Sequence, residues 1–423
     1  MGSILRSLSV LATAIAFVTV AAMPAAAEPV PSPVWTVMVY LDGDNNLDSY
    51  SAEDVQEMMT VGSSDRFNVV VLWDRYDQPA YLYKVLPNGL QVLSGMTVNG
   101  ADVNDQEVGM GDPRVLAAFV DYGVAMMPAD HYLVVIWDHG SPFYGACWDS
   151  HVGPGYSGGS LQFSLMAQAL SGHSIDILAF DACTIGMAEI AYKFATTTDL
   201  HISYLVASEE YIPNYGYPYD RILHEMSSMS DLDEPASVAK IMAMEYAASY
   251  SPQGGAKGGM TANLSVIRVA AAPGLVDAIR DLTSVLNAKL QARFDKYHDL
   301  ISGARGEANL PWDMAGTIHF VDLGTFAVEL ADLAKDNDIK AAATAVAQRV
   351  TEDVVLYVGN TPAMASAGAL GIGIWFPPSY RSCFDANLGS SVLTQWYPTE
   401  FNFGADAGWL NFLYTYWHKA APT

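Results

Sequence analysis

Short, mostly apolar runs closed by Gly, Asp or Ser alternate along the first half of the chain with longer stretches whose apolar residues recur at helical spacing. The runs at 35–41, 68–73, 132–136, 175–180 and 202–207 read as strands. Those at 132–136 and 175–180 lack the alternation of a half-exposed strand, as expected in the centre of a parallel sheet covered on both faces. Between them the spacing predicts helices beginning near Asp48 and at 113–127, 161–170 and 185–195. A hairpin is expected over 80–85 and 90–93, because Asn88-Gly89 between β-prone runs is a strong turn signal. The predicted fold class is therefore α/β, a doubly wound, mostly parallel sheet flanked by helices.

Beyond Leu223 helical patterns at 233–249, 275–296, 325–335 and 339–356 interleave with β-like runs at 264–269, 317–321 and 370–376. This half carries no motif with evident chemistry. A mixed α/β extension, partly continuing the sheet and partly packed on it, fits best. The chain divides into a signal peptide at 1–27, a Pro-rich linker at 28–34, a core at 35–223 and the extension at 224–423.

The first 27 residues place Arg6 before an apolar stretch and end on Ala25-Ala26-Ala27, the layout of a secretory signal. No later segment is long and apolar enough to span a bilayer, so export to the periplasm or the extracellular space is expected. The formal charge is −26, and loss of Arg6 with the signal makes it −27. Such a surface disfavours nucleic acid and would attract cationic peptides, and a like-signed solubility coat accounts for the charge equally well. Three cysteines, Cys147, Cys183 and Cys383, make a poor disulfide framework for an exported chain of 423 residues. Cys147 and Cys383 either pair or stay buried and reduced, and both readings leave Cys183 a free thiol.

The chemistry gathers at two strand ends. Trp137-Asp138-His139-Gly140 and Phe180-Asp181-Ala182-Cys183 each follow a buried run, and open α/β sheets collect reactive groups just beyond the carboxyl ends of neighbouring strands. A thiol there needs a base, which an imidazole within reach supplies. Asp181, two positions before Cys183, points to the same side of its strand. A buried carboxylate near a cleft is costly unless it meets a cation.

Two metal patterns are weak. Asp42, Asp44, Asn46, Asp48 and Glu53 occupy calcium-loop spacings, but Leu47 stands where the loop requires Gly, so a turn and helix N-cap are expected instead. His139, Cys147, Asp149 and His151 match no standard zinc spacing. No metal and no cofactor is expected, with calcium at the first loop kept as the alternative.

The stretch from Trp35 to about Leu223 resembles the clostripain family of cysteine peptidases, relatives of caspases, gingipains and legumains. The resemblance rests on Trp35-Thr-Val-Met-Val-Tyr-Leu41 with Asp44-Asn45-Asn46-Leu47, on Trp137-Asp-His-Gly140, on Asp181-Ala-Cys183, and on Ala207-Ser-Glu-Glu210 followed by Gly216-Tyr-Pro-Tyr219. It implies a caspase-like sheet and a secreted endopeptidase with Cys183 as nucleophile and His139 as base. It also implies an oxyanion held by the backbone N–H groups of Gly140 and Cys183, and a pocket for a P1 Arg or Lys made by Asp181 with Ser208 and Glu209. The expected partners are peptide or protein substrates, cationic at P1. Clostripain-like enzymes are often zymogens cut after a basic residue between His and Cys, yet here no Lys or Arg occurs between Arg114 and Lys193. A cysteine peptidase or transpeptidase with a non-basic preference, or an inactive exported binding protein, are the alternative readings.

Overall fold

The computed structural model describes residues 33–310, 319–383 and 392–419. The predicted signal peptide, most of the linker and residues 317–318 of one β-like run lie outside them.

Nine strands form the main sheet in the spatial order Val355–Asn360, Asn263–Arg268, His201–Ala207, Ser174–Asp181, His131–Trp137, Trp35–Gly43, Phe67–Arg75, Gln78–Leu86 and Gly89–Val92. The central five are mutually parallel, and two antiparallel strands flank them on each side. Every residue of Trp35–Gly43 is buried, which is why that strand reads as an unbroken apolar run. Its side chains alternate between two cores. Met38 and Tyr40 pack with Phe119 of helix Pro113–Met126 and Phe194 of helix Ala188–Thr196. Val37, Val39 and Leu41 pack with Met58 of helix Asp48–Val61 and Met242 of helix Pro235–Tyr250. Helices on both faces make the sheet doubly wound, as the alternating pattern predicts.

The hairpin turns at Asn88, whose φ is 59°. Helix Pro113–Met126 opens with Pro113 and is capped by Asp112, whose carboxylate accepts the Arg114 N–H. Chain order leaves a switch between Trp35–Gly43 and His131–Trp137: the strands from Phe67–Arg75 to Gly89–Val92 lie to one side of the first strand, and those from His131–Trp137 onward lie to the other. Clefts open at such points.

The second half departs from expectation in two places. The predicted helix at 275–296 is two helices, Ala272–Ala292 and Phe294–Glu307, broken at Arg293 with φ −153°. The predicted helix at 339–356 stops at Gln348, runs through a wide π turn, and becomes the strand Val355–Asn360. That strand pairs antiparallel with Asn263–Arg268, and the long-range ladder overrides a local helical pattern. The second half thus both extends the sheet and supplies helices against it. The described residues form one compact unit.

Candidate active site

Sheet register brings the predicted His and Cys together. Asp181 lies opposite Trp137, so His139 and Cys183 each emerge two residues beyond the same level of adjacent parallel strands. The Asp138 N–H donates to the Asp181 carbonyl at 3.3 Å, tying the two exits. Both side chains line a cleft of about 810 Å³ whose wall also includes Asn46, Trp148, Ile212 and Met260. Gly140 packs against the backbone of Cys183: a Cβ there would come within 2.5 Å of the Cys183 carbonyl oxygen and 2.8 Å of its nitrogen. Only glycine permits that approach.

His139 and Cys183 are not hydrogen-bonded to each other. His139 Nε2 meets Asn46 Oδ1 at 2.9 Å, an arrangement that puts the hydrogen on Nε2 and leaves the lone pair on Nδ1. Burial lowers the imidazole's pKa and so favours its neutral form. The Cys183 sulfur accepts the Ile212 N–H at 3.4 Å and faces the Ile212 carbonyl at 3.7 Å. Burial pushes its thiol up to about 11, with the Ile212 N–H opposing and nearby Asp181 and Asp138 adding to the rise. Burial thus favours thiol and neutral imidazole over the charged pair. Such a pair works by general-base transfer as the sulfur attacks.

Beneath Cys183 lies an acidic pocket. Asp181 is 4% exposed; its Oδ2 accepts the Tyr217 N–H at 2.9 Å and the Tyr219 hydroxyl at 3.1 Å. Its Oδ1 has no hydrogen-bond partner. Burial raises this carboxyl to about 7, although Tyr217, Tyr219 and Lys257 favour its charge. Asp181 shares a cavity of only about 30 Å³ with His139 and Cys183, roofed by Ile212, Pro213 and Asn214. Gly216, at φ +56°, is wedged between two acids: a Cβ there would lie 2.8 Å from Asp181 Oδ2 and 2.9 Å from Asp54 Oδ2. Asp54 comes from helix Asp48–Val61 and accepts the Trp137 indole N–H at 2.7 Å. Burial and Asp181 raise its pKa well above the usual carboxylate range.

Ser208 and Glu209 do not join this wall, contrary to the sequence expectation. Both are buried and held by the sheet's later strands: Ser208 Oγ donates to Asn263 Oδ1 at 2.8 Å, and Asn263 Nδ2 to Glu209 Oε1 at 2.8 Å. The pairing of His201–Ala207 with Asn263–Arg268 turns them into that interface. Conversely, the sequence offers Asn46 only a calcium-loop position and gives Asp54 no role. Asn46 was visible within the Asp44–Leu47 motif; Asp54 carried no signal beyond its place on a helix.

The linear calcium-loop pattern disperses. Asp48 pairs with Arg75 at 2.8 Å, and Glu53 is exposed. The zinc-like set disperses too, since His139 faces Asn46, His151 pairs with Asp44 at 2.8 Å and Cys147 is fully buried. Cys147, Cys183 and Cys383 are separate free thiols.

Comparison with known proteins bears on the family and the fold. The clostripain family model, Peptidase C11, matches residues 39–417. Clostripain of Hathewaya histolytica is 30% identical over 226 residues, covering 46% of this chain and 42% of that protein. The matched part is thus less than half the curated relative's length. Among solved structures, a secreted C11 cysteine protease from Bacteroides thetaiotaomicron bound to an irreversible peptide inhibitor superposes with a TM-score of 0.62 at 20% identity, over 89% of this chain and 99% of that one. An inactive zymogen C11 protease from Parabacteroides distasonis gives a TM-score of 0.62 at 18% identity, over 89% and 99%. At these identities the structures speak to the fold.

Proposed function

The chain belongs to the clostripain family of cysteine peptidases, and on that premise we propose that it is an exported endopeptidase cleaving after Arg or Lys, with Cys183 and His139 as its dyad. One observation carries the reading: His139, Cys183 and the unpartnered Asp181 Oδ1 meet at neighbouring strand ends around one cavity. As the Cys183 sulfur bonds to the scissile carbonyl carbon, its proton passes to His139. The carbonyl oxygen gains the charge, and the backbone N–H groups of Gly140 and Cys183 receive it. Collapse breaks the C–N bond, and His139 returns the proton to the departing amine. Water then attacks the thioester with His139 again as base, releasing the acid and restoring the thiol. An incoming guanidinium or ammonium supplies the counter-charge Asp181 lacks.

A cavity of about 30 Å³ holds a water, not an arginine side chain. Binding a basic P1 residue therefore requires Ile212–Asn214 to lift from Cys183 and Asp181. Taken as it stands, that closed pocket favours the second reading, a peptidase of non-basic preference. Export rests on residues 1–27; among the described residues no helix is long and apolar enough to cross a membrane. Fluorogenic peptides bearing Arg, Lys or Ala at P1, assayed with and without a thiol-alkylating reagent, test the proposal. Alkylation-sensitive hydrolysis after Arg and Lys supports it; hydrolysis confined to Ala favours the second reading; none at all favours an inactive binding protein.

A further inference from the structure

The loop at 212–216 closes the pocket beneath Cys183, and a contact from outside that pocket holds it there. Both ends of the loop are fixed to the sheet: the Thr184 N–H donates to the Glu210 carbonyl at 2.9 Å, and the buried Tyr217 hydroxyl to the Phe180 carbonyl at 2.8 Å. Between these anchors the grip on Cys183 itself is weak. Its sulfur meets Ile212 at 3.4 and 3.7 Å, and sulfur is a poor donor and acceptor.

A charged bond reinforces that grip. The Lys257 ammonium donates to the Tyr215 carbonyl at 3.0 Å and pairs with Glu57 Oε1 at 2.7 Å, strapping the loop to helix Asp48–Val61. Glu57 is held in turn, its Oε2 accepting the Tyr219 N–H at 3.0 Å. With side-chain exposures of 15% and 24%, Lys257 and Glu57 are largely shielded from water, so their pairing is worth more than that of an open surface pair. Lys257 belongs to the short turn Gly255–Lys257, bracketed by Gly255 at φ 78° and Gly259 at φ 85°. Just beyond, Met260 and Thr261 line the cleft. Lys257 thus joins two segments that border the substrate's path.

The same lysine answers to the charge of the pocket. Asp54 and Glu57, three residues apart, share a face of helix Asp48–Val61, and Asp54 stands across Gly216 from Asp181. Lys257 is among the charges acting on all three acids. Among the described residues no Lys, Arg or His nitrogen lies within 4.0 Å of Asp54 or Asp181. A cation arriving beside Asp181 therefore brings a like charge toward Lys257 and weakens the strap as it enters.

We infer that Lys257 is a positioning residue that governs access to the P1 pocket: bridging Glu57 and the Tyr215 carbonyl, it latches loop 212–216 shut and releases when a long side chain enters. This rests on the reading of Cys183 as nucleophile and Asp181 as the P1 acid. It explains why a pocket with its acid in place holds only about 30 Å³. The work of opening is subtracted from substrate binding, so the latch acts on KM rather than on kcat.

Alkylation of Cys183 by iodoacetamide, located and timed by peptide mass spectrometry, reads loop opening without any peptide substrate. Expected are rates about 3- to 10-fold above wild type in both Lys257→Met and Glu57→Gln, the scale of one partly shielded charged contact, and a rate near wild type in Lys257→Arg, which keeps both bonds. KM for a P1 Arg peptide should fall by a similar factor in the first two variants, while a P1 Ala peptide, which does not need the pocket, moves less. A purely electrostatic role would shift those two variants in opposite directions, since one loses a positive charge and the other a negative one. That outcome, or alkylation unchanged or slower in both, would overturn the latch. Faster alkylation in a chain that cleaves no Arg or Lys peptide would uphold the latch and refute the basic P1 preference instead; Arg cleavage with unchanged alkylation would do the reverse.

Discussion

Asp181 and Glu209 occupy comparable places and have different surroundings. Each stands at the carboxyl end of a central parallel strand, each is buried, and each has one carboxylate oxygen without an N–H or hydroxyl donor. Asp181 faces a cavity shared with Cys183 and has Lys257 among the charges acting on it. Glu209 faces Asn263 and Asp322, and burial with Asp322 raises its pKa well above the usual range. Asp322 itself caps helix Leu323–Leu333 through the Thr325 N–H and accepts the Leu370 and Gly371 N–H groups. Strand position alone therefore does not make an acid a pocket residue. What is laid over the strand end decides: a short loop at 212–216 covers one, and the body of the second half seals the other.

The sharpest test of this contrast is specificity. Asp181→Asn should lower kcat/KM for Arg substrates by about 10- to 100-fold, the scale of a desolvated charge pair, and change Ala substrates little. Glu209→Gln should leave the Arg-to-Ala ratio within about 2-fold. The reverse pattern would exchange the roles of the two acids.

A smaller effect is expected from pH. With its carboxyl raised to about 7, Asp181 is charged above that value and neutral below it. The Arg-to-Ala ratio of kcat/KM should therefore fall as pH drops through about 7, by up to about 10-fold per unit. A flat ratio from pH 5 to 8 would separate Asp181 from P1 recognition.

The smallest effect belongs to stability. A carboxyl whose folded pKa is raised binds its proton more tightly folded than unfolded, so its contribution is present at low pH and is lost as pH rises above the ordinary Glu value of about 4.3. Glu209→Gln keeps an acceptor for Asn263 and removes that titration. Its Tm should fall less than the wild type's between pH 5 and 8; parallel curves would mean Glu209 holds no extra proton.

The sequence was legible where burial is two-sided and local. The central strands show as apolar runs, and the strand-end rule puts His139 and Cys183 beside each other, where both line one cleft. It was less legible where partners are distant. Ser208 and Glu209 carry the resemblance motif, but Asn263, more than fifty residues later, turns them inward. Val355–Asn360 reads as a helix continuation until its ladder with Asn263–Arg268 is seen. The acids at 44, 107 and 149 lie on three segments that only the fold brings together.

The most direct test of the central claim is to locate the adduct formed by a peptidyl chloromethyl ketone with Arg at P1. The account predicts a single adduct, mapped by peptide mass spectrometry to Cys183, strongly slowed in His139→Ala and absent in Cys183→Ala, with Cys147 and Cys383 unmodified. Labelling at Cys147 or Cys383 instead, or labelling of Cys183 at the same rate with and without His139, would contradict it.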